Sequence, residues 1–331
     1  MTKKQKPGEK SKPAYGQESL TLRIMSQRYN SFTGYFRKTR GERLQKVVID
    51  AGFTCPNRDG TKGTGGCSYC DNAAFHPGYS KAGKPILQQI DEGIEFHRVR
   101  YRNARHFLAY FQSFSNTYAP VEKLRELYGE ALSHPDVVGI VVGTRPDCID
   151  SGKLDLLEEL ARENTVIVEY GIESCRDETL RRINRGHDFE CARRAVTMTA
   201  QRGIPVGAHF ILGLPGESGE MMLEQCSTIN SLPLTSVKFH QLQLVKGTRM
   251  AREYAEHPGE FTRFTLDGYL DFICEMLARL RPDLYIERIA GEVPPRFVTE
   301  TPWGLIRNNE ILNLLERRLE EKDIFQGKYL L

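Results

Sequence analysis

Three of the eight cysteines lie close together, in the segment CPNRDGTKGTGGCSYC that spans residues 55–70. Eleven residues separate Cys55 from Cys67, and two separate Cys67 from Cys70. Four glycines between them allow the backbone to wrap closely around a bound group: Gly60, Gly63, Gly65 and Gly66. Thiolates grouped in this way are metal ligands, and three thiolates suit a metal with an open coordination position.

Three kinds of site agree with this spacing. The first is an iron–sulfur cluster in which one iron is open to another ligand. The second is a zinc knuckle with His76, six residues after Cys70, as the fourth ligand. The third is a group of buried thiols that bind no metal. The other five cysteines are scattered, and in a protein of the cytosol we expect all eight to be reduced.

Short apolar segments rich in Val, Ile and aromatic residues predict the strands that position this loop. The six segments are KVVIDAG (46–52), HFLAYFQ (106–112), VVGIVVG (137–143), TVIVEYGI (165–172), VGAHFILG (206–213) and SVKFHQLQL (236–244). Amphipathic helical segments alternate with them, which predicts an α/β fold with a parallel sheet and right-handed crossovers. Periodicity does not decide between an open sheet and a barrel. The cysteine loop follows the first strand, where α/β proteins place active sites.

Composition limits the class of protein. The chain has 331 residues, of which 40% are hydrophobic and 27% charged, the balance of a globular protein. No apolar run approaches the roughly 18 residues of a membrane span, and no signal peptide is recognisable. We therefore expect a cytoplasmic protein that does not contact membranes. Three parts are predicted: a flexible basic tail (1–18), a core domain (19–280) and a C-terminal α/β extension (281–331).

The net charge of +3 is uninformative, but two basic clusters stand out. Residues 3–12 contain five lysines, and a second cluster comprises Arg98, Arg100, Arg102 and Arg105. Such clusters either contact phosphate groups or form solvated surfaces.

Further motifs, taken together with the cysteine loop, resemble the radical S-adenosylmethionine (SAM) enzymes. Tyr69 directly before the last cysteine is typical of their cluster loop, and the long first spacing resembles the YhcC/YtqA group and the Elongator catalytic subunit. The resemblance covers about residues 29–326, with the motifs YFQSFSNTYAP (110–120), TRPDC (144–148), YGIES (170–174), INRGH (183–187) and GLPGE (213–217). It implies a partial (β/α)6 barrel of the TIM type with a small C-terminal extension.

The same resemblance implies the cofactors. A [4Fe–4S] cluster is held by Cys55, Cys67 and Cys70 at the C-terminal ends of the strands, and SAM chelates the fourth iron. An electron from a donor such as flavodoxin or ferredoxin then cleaves SAM to methionine and a 5′-deoxyadenosyl radical. That radical abstracts a hydrogen atom from the substrate.

The resemblance also implies residues for the adenosine end of SAM. Tyr69 is expected to contact the adenine, while Thr144 and Glu173 resemble positions that bind the ribose or the methionine. His209 corresponds to a polar residue near the ribose or adenine, although a lone histidine in an apolar strand is also commonly a core residue with satisfied hydrogen bonds.

The methionine end of SAM is expected to meet a second group of residues. Arg185 resembles an arginine that pairs with the SAM carboxylate, a role that suits the guanidinium fork. Where relatives have a Gly-Gly-Glu segment for the SAM amino group, this chain has Gln112, Ser113 and Ser115 as the available acceptors.

The substrate side is predicted from strand alternation and from the resemblance. Alternation places Lys238 and His240 on one face of the sixth strand, where they could orient a substrate anion or move a proton, or else lie at a solvated strand end. The resemblance implies a tRNA substrate with a 5-substituted wobble uridine. We expect no acetyltransferase domain, because only the extension 281–331 follows the predicted core domain. The alternatives are a small-molecule or protein substrate, or a non-enzymatic protein that binds zinc and RNA.

Overall fold

The computed structural model describes residues 28–98 and 104–331, and it contains one sheet of seven parallel strands in the order β1 to β7. The strands are β1 Gln45–Ile49, β2 Phe107–Phe111, β3 Val137–Thr144, β4 Thr165–Glu173, β5 Val206–Leu212, β6 Ser236–Gln241 and β7 Tyr285–Arg288. The sheet is curled, since Lys46 of β1 lies 2.6 Å from Glu287 of β7 across its concave face. The predicted α/β half-barrel is confirmed.

The described residues form ten α-helices, most of them connecting consecutive strands. They are α1 Phe32–Arg40, α2 Ile86–Arg98, α3 Val121–Leu132, α4 Ser151–Ala161, α5 Asp177–Arg182, α6 Phe189–Ala200, α7 Gly219–Ser231, α8 Arg249–Glu256, α9 Leu266–Arg279 and α10 Asn308–Glu321. Periodicity does not predict the short helices α1, α5 and α8, because two turns contain too few apolar repeats to recognise.

Alternate strand residues serve two different cores. On the convex face, residues such as Val142 and Val168 pack under the surrounding helices. On the concave face, Phe36 of α1 packs with Leu108 and Val141 near the N-terminal ends of the strands. Helix α1 therefore closes that end of the half-barrel, and the opposite end, where the cysteine loop follows β1, carries the site.

The C-terminal segment contributes to the same sheet. After Arg281 the sequence indicates a strand and a loop, and the strand is β7, which pairs in parallel with β6. The division of the chain at residue 280 stays a prediction. The proposed tail (1–18) lies outside the described residues, as do Arg100 and Arg102. Within the described ranges, no helix is long and apolar enough to cross a membrane.

Candidate active site

The cysteine loop is held against the INRGH turn between α5 and α6. The Asn57 amide donates to the carbonyl oxygen of Asn184 at 2.5 Å and lies 3.7 Å from the Cys67 sulfur. In return, the Asn184 amide donates to the carbonyl of Gly66 at 2.8 Å, and the Ser68 N–H donates to the carbonyl of Ile183 at 2.9 Å. The turn thus fixes the backbone on both sides of Cys67.

The TRPDC motif holds the same loop from the end of β3. Asp147 accepts two hydrogen bonds from Arg145, both 2.9 Å, and pairs with Lys62 of the loop at 2.7 Å. Although burial opposes ionisation, Arg145 and Lys62 hold the pKa of Asp147 well below its usual range, so the carboxylate stays charged. Tyr118, from the motif after β2, adds a hydrogen bond of 2.9 Å to Thr61. The sequence shows these motifs, but their role in holding the loop is visible only in the structure.

His76 is engaged elsewhere and does not complete a zinc knuckle. Its Nε2 lies 2.9 Å from the Ser113 hydroxyl, and its Nδ1 lies 3.5 Å from an Asp50 carboxylate oxygen. Among the described residues, no three His, Cys, Asp or Glu side chains are placed to hold one metal ion, as a single zinc would need. A four-iron cluster instead takes each thiolate on a different iron, and all three cysteines of the loop are free.

Positive side chains with unused hydrogen-bond donors surround the loop. Arg185 Nη1 lies 3.6 Å from the Cys67 sulfur, and Arg58 donates to the carbonyl of Cys70 at 2.6 Å. Arg185 Nε and Arg145 Nη1 are buried without a hydrogen-bond partner among the described residues. Buried unpaired donors are costly, so this environment fits an anionic group, such as an iron–sulfur cluster with three thiolates.

Glu173 provides the complementary negative charge at the end of β4. Its Oε1 lies 3.5 Å from Arg185, and its Oε2 is buried and accepts no hydrogen bond from the described residues. Glu173 has the same alternation as Glu169, which places it on the concave face; its φ is positive, 73°, and the strand register shifts between Gly171 and Glu173. A Cβ on Gly171 would lie 2.6 Å from Glu173 Oε1 and 2.8 Å from Arg185 Nη2, so only glycine leaves room for the pair.

His209 and His240 face each other on the same concave surface. Their ring centroids are 4.3 Å apart with an edge-to-face orientation, and His209 Nδ1 lies 3.6 Å from Glu173 Oε2. Burial lowers the pKa of both imidazoles, that of His240 well below its usual range, so both are neutral at pH 7. Both Nε2 atoms are buried and lack partners among the described residues, which leaves two polar atoms for a ligand.

Lys238 lies deeper, in a layer of paired charges. Its Nζ is 2.5 Å from Glu169, 3.0 Å from Glu287 and 3.2 Å from the Tyr110 hydroxyl. Lys46 also pairs with both carboxylates, and both ammonium groups lie over the Tyr110 ring. Burial alone would raise the pKa of Glu169, yet the two lysines hold it well below its usual range. The predicted placement of Lys238 and His240 on one face is correct, but the Lys238 ammonium is already bound to protein groups.

The remaining candidates differ in where they face. The Ser113 hydroxyl is taken up by His76, and Gln112 follows β2 directly and is half-buried. Thr144 is two residues after Val142 in β3, so it lies on the same convex face, under the helices. Its hydroxyl lies 2.7 Å from that of Thr117. The structure therefore does not bring Thr144 to the concave face with Glu173 and His209.

Tyr69 lies next to the cysteine cluster in a second, smaller apolar core. It packs against a group of buried residues that includes Ile183, Ile211 and Leu242. Burial, followed by the nearby Cys67, raises the pKa of Tyr69 well above its usual range, so the phenol stays neutral. An uncharged ring at this position can pack against another flat group.

Comparisons with known proteins agree with this architecture. The sequence profile of the Radical SAM superfamily matches residues 58–227, and that of the Radical_SAM C-terminal domain matches residues 234–321. Protein YtqA of Bacillus subtilis is 34% identical over 302 residues, which are 91% of this chain and 92% of YtqA. The tRNA uridine(34) acetyltransferase of Dehalococcoides mccartyi is 24% identical over 55% of this chain and 39% of its own length.

A solved structure shows the same fold. The archaeal Elp3 of Methanocaldococcus infernus, lacking residues 1–46, superimposes with a TM-score of 0.64 at 17% sequence identity. The match covers 86% of this chain and 64% of that one. Together with the profile match and the similarity to YtqA over nearly the whole chain, the cysteine loop at the mouth of a parallel half-barrel leads to one conclusion: this chain belongs to the radical SAM superfamily, whose members bind a [4Fe–4S] cluster and SAM.

Proposed function

We propose that this chain is a cytoplasmic enzyme that cleaves SAM reductively and modifies a 5-substituted wobble uridine of tRNA. The observation that carries the SAM site is the pair formed by Arg185 and Glu173. Beside Cys67, it presents one unpaired guanidinium nitrogen and one unpaired carboxylate oxygen, both buried. A positive donor next to a negative acceptor is complementary to the carboxylate and ammonium groups of an amino acid, such as the methionine part of SAM.

Each residue then has a defined task. Cys55, Cys67 and Cys70 hold the cluster, which, when bound, supplies the electron that converts SAM to methionine and a 5′-deoxyadenosyl radical. Arg185 and Glu173 orient the amino-acid end of SAM. With this assignment, the bond to be broken lies at the end of the half-barrel that carries the cysteine loop.

Two groups remain for the rest of the ligand. The neutral imidazoles of His209 and His240 offer their Nε2 atoms to the ribose or to the substrate, and Tyr69 offers an uncharged ring to the adenine. Lys238 acts as a positioning residue, because its contacts with Glu169 and Glu287 fix the strands below the histidines.

The tRNA substrate is supported by one of the relatives and by the two basic clusters of the sequence, in residues 3–12 and 98–105. One relative is named a tRNA uridine(34) acetyltransferase, although the matched part is 39% of that protein, so acetyl transfer is not inferred for this chain. The base at an anticodon wobble position is already in a loop, so extruding it into the half-barrel costs little. The electron donor is expected to be a flavodoxin or ferredoxin.

The test combines one variant, one control and two readouts. After anaerobic reconstitution, the wild type with dithionite should form 5′-deoxyadenosine, and Cys67→Ala should lose both the iron and this activity. Cys226→Ala, a buried thiol of the helical core, should keep both. Wobble nucleosides of a strain without the protein should differ from the wild type by mass spectrometry. A colourless zinc protein that leaves SAM intact would refute the enzyme, whereas an unchanged nucleoside profile would refute only the tRNA substrate.

A further inference from the structure

A basic recess lies beside the cysteine loop, between that loop and the start of α8. Its volume is about 520 Å³. One wall is formed by the loop, including Cys67, Ser68 and Cys70, and the other by residues 246–249 and Arg252. The Met250 N–H donates to the carbonyl of Ser68 at 2.9 Å, so the two walls are joined at the base. No motif in the sequence indicates this recess.

Four cations line the recess: Arg58, Lys246, Arg249 and Arg252. The hydrogen bonds of three of them go to backbone carbonyls, those of Cys70, Arg296 and Gly247, and in the described structure none of the four forms an ion pair. Asp71 is the one acidic residue among the described lining residues. Counting these side chains gives four positive charges against one negative charge.

Two neighbouring glutamates pair with an arginine outside the recess, so they do not neutralise its positive charge. Glu253 of α8 pairs with Arg182 at 2.9 Å, and Glu260 pairs with the same arginine. Lys246, Arg249 and Arg252 are exposed to solvent. They stand at the N-terminal end of α8, whose helix dipole adds to the positive potential.

The loop backbone is shaped so that Arg58 can reach this recess. Gly66 has a φ of 76°, and a Cβ there would lie 2.8 Å from Arg58 Nε. Because Gly66 has no side chain, it leaves room for the Arg58 side chain to cross the loop. A rigid arginine on one wall faces flexible basic side chains on the other, an arrangement that can enclose an anion from both sides.

Resting on the proposed tRNA substrate, we propose that this recess binds a backbone phosphate of the RNA. A phosphodiester presents oxygens that guanidinium forks recognise, and it can enter a recess that three arginines and one lysine line. The recess shares the cysteine loop with the SAM site, so a phosphate held here anchors the RNA at the mouth of the half-barrel. An acidic electron-transfer protein is the competing occupant, and parallel measurements of tRNA binding and electron delivery separate the two.

The experiment uses the reconstituted full chain and unmodified bulk tRNA. In the test variant, Lys246→Gln, Arg249→Gln and Arg252→Gln are combined; Arg58 is kept because it bonds to the cysteine loop. The matched control combines Arg162→Gln, Arg194→Gln and Arg317→Gln, three exposed cations at the end of α4, on α6 and on α10 for which no ion pair is found in the described structure. Iron content and dithionite-driven SAM cleavage without tRNA should be unchanged in both.

Binding is measured by fluorescence anisotropy over a range of salt concentrations. The test variant should bind tRNA about tenfold more weakly, and the slope of log K against log salt should fall by about 0.7–0.9 for each phosphate that the variant no longer neutralises. The control should keep the wild-type slope. The rate at which a reduced flavodoxin delivers an electron is measured in parallel and should not change.

Each other outcome overturns the inference in a recognisable way. Equal slopes for the test variant and the wild type would show that the recess does not bind RNA, while the proposed tRNA substrate survives. A slower flavodoxin reaction with unchanged tRNA binding would assign the recess to the electron donor. A wild type that cleaves SAM but binds no tRNA would refute the proposed substrate, and this site with it.

Discussion

Two layers of the half-barrel interior are equally polar but differ in how their polar atoms are used. In the lower layer, two lysines and two glutamates pair with one another around Tyr110. Among their described side-chain atoms, Glu287 Oε2 alone is buried without a hydrogen-bond partner. In the upper layer, Arg185, Glu173, His209 and His240 each leave one buried polar atom without a partner among the described residues. Buried polar groups in proteins are normally satisfied. The lower layer is therefore satisfied almost entirely by its own four charges, whereas every residue of the upper layer has a polar atom left for a ligand.

The largest effect is expected on the free energy of unfolding, when one charge of the lower layer is removed. Lys238→Met leaves one buried ammonium for two buried carboxylates. We expect the free energy of unfolding to fall by about 3–5 kcal/mol, because removing one partner of a buried pair leaves an uncompensated charge. Denaturant unfolding measures this. Lys123→Met, which breaks an exposed pair with Glu126, should change it by less than about 1 kcal/mol.

A double variant keeps this prediction testable if the single variant does not fold. Lys238→Met combined with Glu169→Leu leaves one lysine and one glutamate, so the charges balance again. Its loss of stability should be smaller than that of Lys238→Met alone, since replacing a complete buried pair by apolar residues is often neutral. If the double variant is the less stable of the two, the lower layer does not work as a balanced network.

A substitution in the upper layer should weaken the binding of SAM. Arg185→Gln removes the donor beside Cys67, and we expect SAM affinity to fall by about 1.5–3 kcal/mol, roughly 10- to 150-fold, as for the loss of a charge-assisted pair. Anaerobic calorimetry on the reconstituted enzyme measures it. Arg182→Gln, which breaks a surface pair with Glu253, is the matched control and should bind SAM normally. Wild-type affinity in Arg185→Gln would remove this residue from the SAM site.

The contrast between the layers is only partly visible in the sequence. Alternation along β6 correctly groups Lys238 with His240, because it depends only on local pleat. The partners of Lys238 come from strands far away in the chain, β4 and β7, and no local pattern reports which charges will meet.

Local exceptions at strand ends account for the other differences. Thr144 is one residue out of phase with the concave face, whereas Glu173 is in phase with Glu169, and what periodicity does not predict is its positive φ. The residues that hold the cysteine loop, Asn57 and Asp147, lie within recognisable motifs. Their hydrogen bonds depend on how three loops meet, so only the strand-to-helix order and the cysteine spacing could be predicted from the residues themselves.

The smallest predicted effect is on the pH dependence of the free energy of unfolding, which should differ between the two layers. His240 packs edge-to-face with His209. Burial, followed by His209 and by the positive charges of Arg288 and Lys238, holds its pKa well below the usual value. At a pH under about 6.5, the unfolded chain therefore binds a proton that the folded protein refuses, so stability is lost as the pH falls. Between pH 7.5 and pH 5.5 this one histidine should lower the free energy of unfolding by at most about 1.4 kcal/mol, the limit for complete exclusion of one proton from the folded state.

His240→Gln should remove that part of the pH dependence, as measured by urea unfolding of enzyme with equal iron content. Glu169 in the lower layer affects stability at a lower pH. Because its pKa is depressed, its contribution to the free energy of unfolding is complete above about pH 4.3 and is lost only as the pH falls further. The variant should therefore differ from the wild type near pH 6 but share its acid unfolding below pH 4. A wild-type slope in His240→Gln would mean that folding does not lower the pKa of this imidazole, and His240 would then not distinguish the upper layer from the lower one.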